Sequence, residues 1–445
     1  MMTTRSALVL AVSTMGLLAS GVVEAQSQTP GVSASQVQCL GFRETLFLAL
    51  DRAPEIGAAE ARSEEAEAVV REVRSLRLPQ VSTFGRGAVG DNGLSTTQIE
   101  NQYGLRVSQR VWDFGDSRYA LDAARAGLDR QASVEDSVRL GTAMTVAQAY
   151  LMQLEAESLL RVVDERREYF SRQQRSVDAL LAEGGATRAE SAQIAAELAQ
   201  AEAEMMEIQS VADRAAVRIY EYAGVWPSLC SVEALESAMG QMMRALPDAQ
   251  TAVDRALDAN PQLSSRRASV RSLEAQRERQ RRSRLPVVEV VGIVSYAYDD
   301  DFDTWQARDR VGVDVSVPLY TGSALGARND QAQARLSGEE FALRAEQRDV
   351  REEAHIAFRR QLSLASQLVR REAVADSQFA YFDAISGEFQ YGLGTLPDLV
   401  SARLNYEQAE LDVVRARFQL IREQLGLLNL TAQLLDTAPD PETAQ

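Results

Sequence analysis

The stretch Tyr391–Leu411, YGLGTLPDLVSARLNYEQAEL, opens on the turn Gly392-Leu393-Gly394 and passes through Thr395-Leu396-Pro397-Asp398 into a helical pattern. Earlier in the chain, Glu183–Ala203 reads EGGATRAESAQIAAELAQAEA. Gly184, Thr187 and Glu190 stand three apart there, as Gly392, Thr395 and Asp398 do in the later stretch. A glycine able to take the left-handed conformation ends a helix. A threonine followed three residues later by an acid starts the next one, at the spacing of a capping box. Pro397 suits a first helical turn, where no backbone donor is needed. The same helix-reversing corner is therefore written twice.

The duplication extends outward from the corners. ALDRAPEI (Ala49–Ile56) returns as ALDANPQL (Ala256–Leu263), Pro79 as Pro286, and VSQRVWDFG (Val107–Gly115) as VSVPLYTG (Val315–Gly322). Ala149-Tyr150 answers Ala357-Phe358, and the offset stays at 207 to 208 residues throughout. So constant an offset over such a span marks an internal repeat. The expected organisation is a first repeat over 26–230 and a second over 231–436, followed by a tail at 437–445.

Each repeat changes texture in the same order. A helical segment runs to RSLRLPQ or RRSRLPV, where proline ends it. Two alternating stretches follow, near 80–112 in the first repeat and 287–319 in the second. In VGVDVSVPLY, Val311, Val313, Val315, Val317 and Leu319 share one face, against Gly312, Asp314 and Ser316 on the other. In YGLRVSQRVW, Tyr103, Leu105, Val107 and Val111 oppose Arg106, Ser108 and Arg110. That is the period of a strand with one apolar and one polar face. The period then turns helical over 115–183 and 322–391, without proline. Each run would make roughly 100 Å of helix at about 1.5 Å per residue, far beyond an ordinary globular helix. The returning helices, 186–223 and 395–434, are rich in small residues on more than one face, among them Ala189, Ala192, Ala195, Ala196 and Ala199. Such a helix can pack closely on both sides, as a ring of helices requires.

The fold expected is mainly α, with very long helices and four strands per chain that contribute to a transmembrane β-barrel. Strands of about ten residues suffice to cross a bilayer when tilted. Four strands cannot close a barrel alone, and an open edge in lipid leaves backbone groups unsatisfied. Several copies must then share one barrel, and Arg86, Arg106, Arg110 and Asp314 fit its wet lumen better than a soluble sheet buried under helices.

The N-terminus, MMTTRSALVLAVSTMGLLASGVVEAQSQTP, has Arg5 before an apolar core and Val23-Glu24-Ala25 as a small-x-small site, which predicts a signal peptide over 1–25. No cysteine follows the apolar core, which argues against a lipid anchor. Export would place Cys39 and Cys230 in an oxidising compartment, where they either pair or remain two separate small buried thiols. The formal net charge is −17, and every basic residue is arginine. That balance excludes nucleic acid as a natural partner and suits a lumen preferring cations.

The signal peptide, the repeated ALDxxP helix, the VSQRVWDFG junction and the YGLGTLPDLVSARLNYEQA corner together resemble the TolC-type outer-membrane channels of Gram-negative efflux and type I secretion systems. The resemblance covers the mature chain in order and in both repeats. It implies a homotrimer with a shared twelve-stranded barrel in the outer membrane and a twelve-helix tunnel across the periplasm. It also implies an equatorial belt including Gly224–Gln241 and the C-terminal tail. Partners would be outer-membrane lipid, a periplasmic adaptor and an inner-membrane transporter, either ABC-type or proton-driven. The cargo would be small molecules, proteins or both.

In such channels the corner is the periplasmic tip. Asp398 would then face the pore as a ring of three carboxylates, with Glu190 supplying a second ring. Like charges held close raise one another's pKa and attract cations. A further aspartate of the family pattern is replaced here by Ser401, with Gln193 in the first repeat, and its locking arginine falls at Gly394. Tyr391 joins these gate candidates as a hydrogen-bonding or stacking group, and Gly184, Thr187, Gly392, Gly394, Thr395 and Pro397 form the corners.

Enzyme chemistry finds no support. The single histidine, His355, excludes histidine triads and multi-histidine metal sites, and there is no phosphate-binding loop. No cofactor is implied. Asp299–Asp301 reads as a solvated loop rather than a cation site. The rival reading, from another functional class, is a soluble periplasmic coiled-coil adaptor or chaperone with a sheet at one end.

Overall fold

The computed structural model describes residues 39–91, 97–299 and 304–435. The expected signal peptide, the C-terminal tail from 437 and the acidic residues Asp300 and Asp301 lie outside them.

In the first repeat, α1 (Phe42–Arg52) and α2 (Pro54–Ser75) lead into β1 (Gln80–Asp91) and β2 (Thr97–Trp112). Then come α3 (Asp116–Ala182) and α4 (Arg188–Ala223). After a short α5 (Val232–Met243), the order recurs as α6 (Ala249–Ala259), α7 (Pro261–Arg282), β3 (Val287–Asp299), β4 (Thr304–Ser316), α8 (Ala324–Gln390) and α9 (Leu396–Leu430). The breaks between α1 and α2 and between α6 and α7 share one cause. Ala53 and Asn260 are extended, at ψ 118° and 120°, because each precedes a proline that starts the next helix.

The long helices α3 and α8 contain 67 residues each. That corresponds to about 100 Å of axis. The element ends differ locally from the expected ones. The last strand stops at Ser316 rather than near 319, because Pro318 cannot donate to a ladder. Leu319 and Tyr320 are 92% and 90% exposed beyond it. Helices α2 and α7 unwind at Ser75 and Arg282, short of Pro79 and Pro286. Helix α9 stops at Leu430, ahead of Ala432, whose φ of 57° is incompatible with its continuation.

The strands form one antiparallel sheet in the order β1-β2-β3-β4. The central pair joins the two repeats: Leu105 lies opposite Val294 and Val107 opposite Gly292. Strands β1 and β4 are therefore open edges within the chain.

Helices α3 and α4 run back along each other, as do α8 and α9. Two clusters fix the pairs at different heights. One gathers Phe42, Leu46, Tyr150, Leu235, Met239, Phe418 and Leu425 from α1, α3, α5 and α9. The other joins Phe170, Val177, Ile194, Leu396, Leu399 and Val400, from α3, α4 and α9. The second cluster brings both helix-reversing corners to one end of the helices.

Helix α5 covers the first cluster with Val232, Leu235, Met239 and Met242, and Ser231 caps it by accepting from the Ala234 N–H. Beside it, the Cys39 and Cys230 sulfurs are bonded to each other, with their Cα atoms 4.8 Å apart. Leu40 donates to the Ser228 carbonyl and accepts from the Cys230 N–H. The buried Tyr150 hydroxyl also donates to the Leu40 carbonyl, at 3.2 Å. The start of the described chain is thus tied to the link between the repeats.

Candidate functional site

The sheet and the two corners carry the residues whose placement bears on function. Register sorts the sheet's side chains onto two faces. One carries Tyr103, Leu105 and Val107 of β2, Val290, Val294 and Tyr296 of β3, and Trp305, Val311, Val313 and Val315 of β4. All of these are exposed in the single chain. Tyr103 stacks on Tyr296 at 5.9 Å and packs against Trp305 at 5.2 Å, forming an aromatic cluster on that face.

The opposite face carries Arg86, Arg106, Ser108, Arg110, Glu289, Arg310 and Asp314. Arg110 lies 3.4 Å from Glu289, and Arg106 lies 3.9 Å from Asp314. A soluble sheet would bury its apolar face, which this one presents outward. Among the described residues no helix is long and apolar enough to cross a membrane.

Gly104 lets β2 approach β3 closely. A Cβ there would meet the Val294 carbonyl and the Ser295 backbone at under 3.0 Å. Ser295, 1% exposed, accepts from Gln102 and donates to the Arg308 carbonyl.

The corners have matching backbones. Helix α3 ends with Gly184 at φ 76°, and α8 with Gly392 at φ 74°. Gly185 donates to Leu180 at 2.7 Å and Gly184 to Leu181 at 3.2 Å; Leu393 and Gly392 repeat the pattern on Glu388 and Phe389 at 2.9 and 3.0 Å. These paired bonds are the Schellman arrangement, which satisfies carbonyls left over at a helix end. Replacing Gly392 by valine is expected to cost about 1–2 kcal/mol, because a β-branched residue is strained at positive φ. A thermal unfolding midpoint unchanged in that variant would contradict the strain.

The two helix starts differ in one respect. Thr187 accepts from the Glu190 N–H at 3.2 Å while Glu190 accepts from the Thr187 N–H at 2.7 Å, completing a capping box. Those bonds, the backbone one foremost, hold the Glu190 carboxyl below the usual carboxylate range. At the second corner Thr395 accepts from the Asp398 N–H at 3.4 Å, and its hydroxyl donates to the Asp398 carboxylate. No return bond from Asp398 to the Thr395 N–H accompanies it, since aspartate is one methylene shorter. Asp398, Ser401 and Tyr391 are exposed and Gln193 is half-buried. Pro397 lies in the first turn of α9, and Gly394 approaches the backbone of Phe389.

Up to about 24 Å of helix back from this end lies a group that the sequence did not mark out: Arg166 of α3, Glu204 of α4, and Arg403, Tyr406, Glu407 and Glu410 of α9. Arg166 and Arg403 are each 7% exposed and Glu407 is 1% exposed. Arg403 and Glu407 interrupt the apolar stripe of Leu396, Val400 and Leu411, and that interruption is the signal available in the sequence.

The sequence signature described as "Outer membrane efflux protein" matches residues 46–225 and 252–433. The chain belongs to that family. Two relatives illustrate its span. The chain is 23% identical to the outer membrane protein TolC of Salmonella enteritidis over 421 residues, covering 89% of this chain and 84% of that protein. It is 24% identical to the alkaline protease secretion protein AprF of Pseudomonas aeruginosa over 419 residues, covering 90% and 85%.

Solved channels share the fold. VceC of Vibrio cholerae superposes with a TM-score of 0.75 at 17% identity, covering 88% of this chain and 96% of that one. The MtrE channel of Neisseria gonorrhoeae in its open state gives 0.75 at 16% identity, covering 88% of each chain. Barrel-plus-tunnel architecture is therefore the setting of this sheet and these helices, and the outer membrane their location.

Proposed function

We propose that this chain is the outer-membrane exit duct of an efflux or secretion system, working as a homotrimer whose copies share one barrel and one periplasmic tunnel. The observation that carries it is the sheet: two open edges, an exposed apolar face and a charged opposite face. Joined edge to edge, copies satisfy the free backbone groups, turn the apolar face to lipid and leave the charged face lining a passage. Small exposed residues of α4, Ala192, Ala195, Ala196 and Ala199, offer a close-packing surface to a neighbouring copy.

The duct performs no catalysis, and transport would be energised by an inner-membrane transporter reached through a periplasmic adaptor. The secretion relative and the efflux family name support both cargo classes, proteins and small molecules. At the tip, Asp398 and Glu190 would form acidic rings, with Ser401, Gln193 and Tyr391 beside them.

The test is mass and conductance on the purified protein. A detergent-solubilised trimer that conducts ions in planar bilayers is expected, whereas a folded, detergent-free monomer without conductance would instead favour the periplasmic adaptor or chaperone. Asp398→Asn is expected to lower cation-over-anion permeability about twofold or more and to weaken block by multivalent cations. Selectivity and block identical to the unsubstituted channel would remove Asp398 from the constriction.

A further inference from the structure

The charged group between α3, α4 and α9 has an imbalance that its surroundings make consequential. Arg166 is shared: its guanidinium bonds the Glu204 carboxylate and lies 3.0 Å from Glu407 Oε1. Arg403 is enclosed by rings, its guanidinium carbon lying 5.3 Å from the Tyr169 centroid, 5.5 Å from Phe382 and 5.3 Å from Tyr406. The Tyr406 hydroxyl donates to Glu410 at 2.6 Å.

Two guanidiniums therefore face three carboxylates, Glu204, Glu407 and Glu410. Of the other groups around them, Glu165 of α3 adds another negative charge beside Glu410 and Tyr406. Helix α8 brings Phe382 to Arg403 and, across a hollow of about 410 Å³ that Glu410 lines, Glu372 and Asp376, of which Glu372 lies 3.7 Å from Arg417 of α9. Glu407 is the most deeply buried of the carboxylates, and neither of its oxygens receives a directed hydrogen bond. A buried carboxylate in net negative surroundings is most cheaply accommodated by binding a proton.

We infer that Glu407 is a proton-binding site that makes the seating of α9 on α3 and α4 depend on periplasmic pH. The packed arrangement holds Glu407 as the neutral acid; once ionised, the group is better solvated if α9 lifts away. Burial, opposed by Arg166 and Arg403 and reinforced by Glu204 and Glu410, pushes the Glu407 carboxyl up to about 7, from an ordinary 4.5.

The direction follows by linkage. A group whose pKa is raised on packing favours the packed state at low pH, and that advantage disappears as pH rises through the raised value. Between pH 6 and pH 8 the packed-to-lifted ratio should fall about tenfold. Because α9 packs on α3 and α4 through Phe170, Ile194, Leu396 and Leu399 near the corners, this pH dependence would set how readily the tip end loosens, a consequence that rests on the duct reading.

The experiment is amide hydrogen exchange on the intact protein in detergent at several pH values, corrected for intrinsic exchange and read over Leu396–Leu411. Protection in the unsubstituted protein is expected to fall about tenfold from pH 6 to pH 8, and in Glu407→Gln to stay flat. Glu204→Gln keeps the test available should Glu407→Gln misfold: with less competition for Arg166, its transition should move to lower pH. The same pH profile in all three proteins, or protection that rises with pH, would overturn the inference. No conductance or transport is measured, so this outcome and the duct reading fail independently.

Discussion

Replacing Cys39 and Cys230 together by serine is expected to lower stability by about 5 kcal/mol, since the cross-link closes an exceptionally long loop in the unfolded chain. The bonded residues are 191 apart in sequence. On the chain-entropy account the loss grows with the logarithm of loop length. The folded side should change little. Leu40 keeps its bonds to Ser228, Cys230 and Tyr150, and Leu46, Leu235 and Met239 keep their cluster whether or not sulfur joins sulfur. The double variant should therefore unfold at much lower urea concentration, with a native-like helical signal before the transition. Reductant added to the unsubstituted protein should reproduce the shift. A change below about 1 kcal/mol would mean that packing of α1 against α3 and α5 holds this region without the bond.

Features coded within a few residues were legible in the sequence. The Gly184-Thr187-Glu190 and Gly392-Thr395-Asp398 corners are local solutions to ending and restarting a helix, and both reversals stand at those glycines and threonines. Strand alternation was equally readable, because burial and polarity switch with every residue; the faces bearing Val311 and Asp314 follow it.

Information that depends on distant partners was not. Spacing alone could not decide whether Cys39 meets Cys230, since pairing depends on how the two repeats dock. Helix α5 read only as part of an equatorial belt, although Val232, Leu235 and Met239 have helical spacing. Twelve residues give a weak period, and its helicity rests on the cluster beneath it. Arg403 and Glu407, four apart on a helix, have the pattern of a solvated pair, and only the arrival of α3 and α4 makes them internal.

That burial gives Arg166→Leu its large expected effect. Removing one partner from a buried ionic group leaves the other uncompensated, at a cost of about 3–5 kcal/mol. Here Glu407 loses its nearest cation and Glu204 its bonded one, while Arg403, held among aromatic rings, supplies the remaining positive charge. The destabilisation should also depend on pH in a definite direction. Arg166 holds the Glu407 carboxyl down, so its removal raises that group further above 7. Below the ordinary carboxylate range Glu407 is neutral in both the folded and unfolded chain, and the charge penalty vanishes. It grows as pH rises above about 7 toward the variant's still higher value, so the loss should be larger at pH 8 than at pH 4. Arg166→Leu combined with Glu407→Leu should recover most of the stability at pH 8, because neither charge then remains to be buried. Equal losses at both pH values, or no recovery in the double variant, would mean that the guanidinium acts here through its bulk alone.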